Sequence, residues 1–130
     1  MSFRTVRCSL RSLVAAIACT IAGPVVAADS QIFQLRDTTD LVEVCSVAPN
    51  HPHYDTAMGF CHGILVGAYS YYDSAVAAPK RFVCSPTPTP KRAPVMSAFV
   101  YWARTHPEYA KNHPVDTLFK YLGETYPCRK

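Results

Sequence analysis

No two cysteines of this chain stand at CxxC spacing, no serine sits in a Gly-x-Ser-x-Gly elbow, and no segment alternates convincingly between apolar and polar residues. The first absence removes the close ligand pairs of a four-cysteine zinc site. The second removes the strained nucleophile turn of an α/β-hydrolase, and the third the half-buried β-strand. Charge is scarce as well, at 17% of residues, and of thirteen basic residues Arg4, Arg7 and Arg11 lie in an N-terminal leader, leaving ten against nine acids. That near-balance, with no basic stripe interleaved with aromatics, leaves no electrostatic footprint for nucleic acid. After the leader, the longest helix-compatible run is residues 57–78, which is moderately apolar and carries His62 and Asp73. A membrane span needs about 20 predominantly apolar residues, so the chain beyond the leader is expected to have no transmembrane segment.

What is present begins with residues 1–28. Three arginines without an acid, an apolar stretch over 12–21, then Gly23-Pro24 and the small residues Val25 to Ala28 read as a signal peptide cleaved after Ala28. Ala16-Ile17-Ala18-Cys19 loosely resembles a lipoprotein cleavage box, but the leucine expected three places before the cysteine is missing, which weighs against lipidation of Cys19. Residues 29–130 then form one domain, exported to the periplasm, and keep four of the six cysteines, Cys45, Cys61, Cys84 and Cys128. An even count in a small exported domain reads as two disulfides.

The expected class is all-α, a small disulfide-stabilised bundle of four to five helices. Asp40 with Glu43 forms a capping box for a first helix whose apolar side is Leu41, Val44, Cys45 and Ala48, stopped by Pro49. Asp55 is placed to cap the central helix. Ala57, Cys61, Ile64, Leu65, Ala68, Tyr72 and Ala75 recur along that helix at the spacing of a buried face. Gly59, Gly63 and Gly67 form a neighbouring line, and each glycine costs roughly 1 kcal/mol against alanine. Close approach of another helix is the expected compensation. Lys80–Pro94 is irregular, its Ser85-Pro-Thr-Pro-Thr-Pro90 run leaning towards an extended polyproline path with Lys80, Arg81, Lys91 and Arg92 around it. Pro94 suits the first turn of a third helix bearing Val95, Met96, Phe99, Trp102 and Ala103. Pro114 opens a last helix with Val115, Leu118, Phe119 and Leu122.

Four cysteines allow three pairings. Cys45 near the end of the first helix and Cys61 near the start of the second meet in an antiparallel hairpin. Pairing Cys61 with Cys84 is harder, because the helix from Cys61 to Ala77 advances about 24 Å and the chain on to Cys84 reaches back at most about 25 Å. Up-and-down helices instead return Cys128 to the end where Cys84 lies. Cys45–Cys61 and Cys84–Cys128 are therefore favoured, each worth roughly 3–4 kcal/mol.

No constellation for catalysis is expected. His62 and Asp73 sit about 16 Å apart along one helix, and the remaining histidines lie in loops or at helix boundaries beside proline. No cofactor and no metal are expected, although His51 and His53 have the i, i+2 spacing of a loop chelate.

Leu41 and Cys45, the run Gly59-Phe-Cys-His-Gly-Ile-Leu-Val-Gly67, Phe82-Val-Cys-Ser-Pro86, His106-Pro-Glu108 and Leu118 through Tyr126-Pro-Cys128 occur in an order that resembles the Rap/Tai family. These are immunity proteins of type VI secretion amidase effectors, and the likeness covers about residues 40–128. The resemblance implies a periplasmic, helical, disulfide-bonded homodimer that is not an enzyme. It would bind a peptidoglycan amidase effector, block its active site and so protect the producing cell. Loops suit entry into an enzyme cleft, which makes Lys80, Arg81, Lys91, Arg92, His106, Glu108 and Tyr109 the candidate partner contacts. Gly59, Gly63, Gly67 and Tyr71 are the candidates for dimer or helix packing. The Pro-Thr-Pro-Thr-Pro run departs from the ordinary turn expected after Cys-x-Pro, as do the central helix's Tyr69, Tyr71 and Tyr72 from an aliphatic surface. Two other readings remain open at this point. Five histidines charging as pH falls suit an acid-stress chaperone-like helical protein, and His51 with His53 a metal-binding module.

Overall fold

A computed structural model describes residues 30–129. The expected signal peptide over residues 1–28, with Cys19, lies outside the described residues. Four α-helices follow in order: α1 Thr38–Val44, α2 Tyr54–Ala75, α3 Arg92–Thr105 and α4 Pro114–Thr125, with 3-10 turns at Ser30–Phe33, Ala78–Lys80 and Pro107–Tyr109. Among the described residues there is no strand, only an isolated antiparallel bridge between Val83 and Pro127. The class is therefore all-α, and the two disulfides are Cys45–Cys61 and Cys84–Cys128, with Cα atoms 5.4 and 4.8 Å apart. No helix among the described residues is long and apolar enough to cross a membrane.

The core forms where α3 packs on each of the other helices. Leu41 and Val44 of α1, Ala57, Cys61, Leu65 and Tyr72 of α2, Phe99 of α3 and Leu118 of α4 are all buried. Phe33 of the lead-in meets Phe60 edge-on at 5.4 Å. The α4 stripe is rotated slightly from its expected line. Pro114, Thr117, Leu118, Tyr121 and Leu122 are buried, while Val115 and Phe119 are half-buried.

Four helix boundaries differ from expectation. Asp37, rather than Asp40, caps α1, accepting from the backbone N–H of Asp40 at 3.2 Å. The helix also ends at Val44, so Ala48 is exposed beyond it. Asp55 is not the cap of α2 but lies in its first turn, and His53 occupies the cap position without a side-chain hydrogen bond. At the other end α2 stops at Ala75, before Pro79, because Arg81 folds back on its last turn. The Arg81 guanidinium donates to the carbonyls of Val76 at 2.9 Å and Asp73, and pairs with the Asp73 carboxylate at 2.6 Å. Those carbonyls are otherwise orphaned at a helix C-terminus.

The glycine line is the main correction. Gly59, Gly63 and Gly67 are exposed, and a Cβ on any of them would meet nothing within 4 Å. Among the described residues no other element approaches them, so the helix bears their conformational cost without a return from those elements. Gly63→Ala is accordingly expected to stabilise the isolated chain by about 0.5–1 kcal/mol, read as a higher denaturant midpoint at constant m-value. The measurement is made at a dilution that keeps the chain monomeric, and a lower midpoint there would contradict an open glycine line.

Candidate functional site

The two loops proposed to meet a partner lie at opposite ends of α3, separated by its length of about 21 Å. They differ in how far their polar groups are already used.

The loop after α3 is committed to holding α1. The first N–H groups of α1 have no intrahelical acceptors, and Thr38 N–H donates to the Asn112 carbonyl at 2.9 Å, Thr39 N–H to the Ala110 carbonyl at 3.2 Å. Both threonine hydroxyls repeat the contact, and the buried Thr38 hydroxyl also reaches Thr117 Oγ1 at 2.7 Å. Lys111 Nζ pairs with Asp37 at 2.8 Å. His106 stacks on Trp102 with ring centroids 4.2 Å apart, its Nδ1 donating to the Trp102 carbonyl at 2.8 Å, and Tyr109 stacks on the same indole at 5.5 Å. His106 and Tyr109 are thus joined by Trp102, whereas Glu108 is exposed.

Charge concentrates at this junction. Arg36 donates to the Asp40 carboxylate from its backbone N–H and its Nε, both at 2.9 Å. The hydrogen bond from Arg36 holds Asp40 below its ordinary 3.8, and that from Lys111 does the same for Asp37. Carboxyls depressed in the folded chain contribute stability that is fully present above the unfolded value and is lost as pH falls through the folded one. Asp37→Asn keeps capping ability but removes the charge, so it is expected to be less stable than the parent at pH 7. The difference should narrow as the pH is taken from 7 to well below the ordinary 3.8 and vanish once the parent carboxyl is protonated in the folded chain too. Thermal unfolding of both chains across that range checks this.

The loop before α3 is built differently. Tyrosines of α2 pin its first part. The Tyr72 hydroxyl oxygen accepts from the N–H groups of Phe82 and Val83 at 2.7 and 3.0 Å, and the Tyr69 hydroxyl oxygen from Ser85 N–H at 3.2 Å. The C-terminal segment pins it from the other side, through Cys84 N–H to the Tyr126 carbonyl, Cys128 N–H to the Phe82 carbonyl and the Cys84–Cys128 bridge. Beyond Cys84 the proline run, with a cis peptide at Thr87-Pro88, arches over α2 and α4 into α3. Beneath the arch lies a mainly apolar pocket of about 200 Å³, floored by Leu65, Val83, Val95 and Leu122. Of the four cations proposed here, Arg81 is used by the fold. Lys80, Lys91 and Arg92 are exposed and form no ion pair among the described residues.

Neither loop carries a recognisable catalytic arrangement, and among the described residues no three of His, Cys, Asp and Glu cluster as a metal site. His51 Nδ1 instead accepts from the backbone N–H of His53 at 3.2 Å. Tyr71, expected to face away from the core, is 76% exposed at the end of the glycine line. The phenolic anchoring by Tyr69 and Tyr72 was not foreseen. It joins residues ten to sixteen positions apart across a loop, and no local pattern marks it.

A family model described as Rap1a immunity proteins matches residues 37–128. Those limits run from the α1 cap to the last cysteine of the second disulfide. No curated protein and no solved structure matches the chain.

Proposed function

The chain belongs to the Rap1a immunity proteins, and from that premise we propose that it is a periplasmic inhibitor of a peptidoglycan amidase effector delivered by type VI secretion. In this reading it carries out no reaction of its own. It occupies the effector and spares the producing cell's wall. The observation that carries the proposal is the family match, which spans nearly all of the described domain. The two disulfides support the periplasmic part, since such bridges persist in oxidising compartments. The leader of residues 1–28 is consistent with export.

The geometry favours the arch before α3 as the effector-facing end. There the cations Lys80, Lys91 and Arg92 form no ion pair among the described residues, whereas the loop after α3 spends its carbonyls, Lys111 and its aromatic rings on the fold. A cation already paired has little to offer a partner, and a free one steers encounter and fixes register. The homodimer belongs to the same proposal. We assign to it the open line of Gly59, Gly63 and Gly67 with Tyr71, where a second helix meets no side chain from the glycines.

The experiment is a pull-down with the mature, oxidised chain against envelope and secreted fractions of its own strain. Stoichiometric recovery of one cell-wall amidase is expected. Recovery of many unrelated proteins, increasing at low pH, would contradict the inhibitor reading and indicate a chaperone.

A further inference from the structure

We infer that the pocket beneath the proline arch receives a single bulky apolar side chain of the effector, presented beside an acidic residue that pairs with Arg92. The inference rests on the inhibitor reading above and names the contact that would select its partner.

Three observations converge on this occupant. The pocket holds about 200 Å³ and most of its lining surface is apolar. Cavities that bury a drug-sized molecule run from about 300 Å³ upwards, so this one suits a side chain rather than a metabolite. Its wall is firm: Leu65, Val83, Val95 and Leu122 are buried core residues, and the arch above them is fixed by Tyr69, by proline and by the Cys84–Cys128 bridge. A preformed pocket of this kind is where interface hot spots concentrate.

Charge decides the second half. Arg92 lines the pocket and neighbours Lys91, both exposed and without an ion pair among the described residues. They also stand at the start of α3, whose first turn contains no acid. Positive side chains at that end oppose the helix dipole, so their placement weakens α3 in the free chain and is relieved when an anion arrives. An apolar occupant flanked by Asp or Glu satisfies both features at once.

The test measures binding of each purified type VI amidase effector of the producing strain by calorimetry. It compares the parent with Val66→Phe, which fills the pocket from α2, and Arg92→Glu, which reverses its rim. Each variant is expected to bind at least about tenfold more weakly, with the Arg92→Glu deficit shrinking at high salt. Unfolding midpoint and molar mass in solution should stay unchanged. Parent-like affinity in both folded variants would overturn the pocket while leaving the inhibitor reading standing. No binding by the parent itself would overturn the inhibitor reading, and this one with it.

Discussion

The double substitution Cys84→Ser with Cys128→Ser is expected to cost about 4 kcal/mol of folding stability, and Cys45→Ser with Cys61→Ser about 3. The difference follows from the chain each bridge closes, with sequence separations of 44 and 16 residues, since the entropy removed from the unfolded chain grows with the logarithm of loop length. Domains of this size are stable by only about 5–15 kcal/mol, so either loss is severe. The larger one also has a local consequence. Val83 is buried and the backbone around it pairs with Tyr126 and Cys128, but those hydrogen bonds are few. Without the bridge the arch should open below the temperature of global unfolding. Denaturant curves measure the cost, and amide exchange at residues 82–92 and 126–128 measures the opening. Equal midpoints for the parent and the Cys84/Cys128 variant would show that the bridge adds nothing to the fold.

Phe99→Ala is the second large loss, about 3–5 kcal/mol. Phe99 is fully buried, sits on a helix that contacts each of the other three, and meets Tyr121 edge-on at 5.7 Å. Truncation removes the ring's transfer energy and leaves a cavity whose walls come from different helices, so no one element can relax to fill it. Phe99→Leu, which conserves most of the volume, should cost less than about 1.5 kcal/mol. Tyr101→Ala, two residues on but 73% exposed, should fall within about 0.5 kcal/mol of the parent. The order alanine at 99, leucine at 99, alanine at 101 in denaturant midpoint is the expected result. A Tyr101→Ala loss as large as that at Phe99 would mean that the outer face of α3 is buried in the solution species.

These contrasts also indicate which features local sequence could show. Period and punctuation sufficed for four helices, for Pro114 opening α4, and for Phe99, Leu118 and Leu122 facing inwards. Helix geometry selected the disulfide pairing, because a hairpin brings Cys45 to Cys61, a rigid helix carries Cys61 away from Cys84, and up-and-down helices return Cys128 to Cys84. What escaped depends on distant partners. Asp37 and Asp40 are both able to cap a helix, and the choice rests partly on Lys111, which binds Asp37 from 74 positions away. Thr117 and Tyr121 break an aliphatic stripe, yet are buried where Thr38 and Phe99 await them. The glycine line was legible as a face but not as an open one, since glycine spacing does not reveal what approaches. Likewise the cluster of four cations around the proline run was evident, but not that Arg81 closes α2 while Lys80, Lys91 and Arg92 form no ion pair among the described residues.

Membership of the Rap1a immunity proteins supports the central proposal, that this domain inhibits a cell-wall amidase by binding it. The most direct measurement is peptidoglycan hydrolysis by each purified type VI amidase effector of the producing strain, titrated with the mature, oxidised chain. The account predicts that activity falls linearly to near zero at an equivalence point of one binding site per enzyme. Undiminished hydrolysis in the presence of excess folded chain would contradict it.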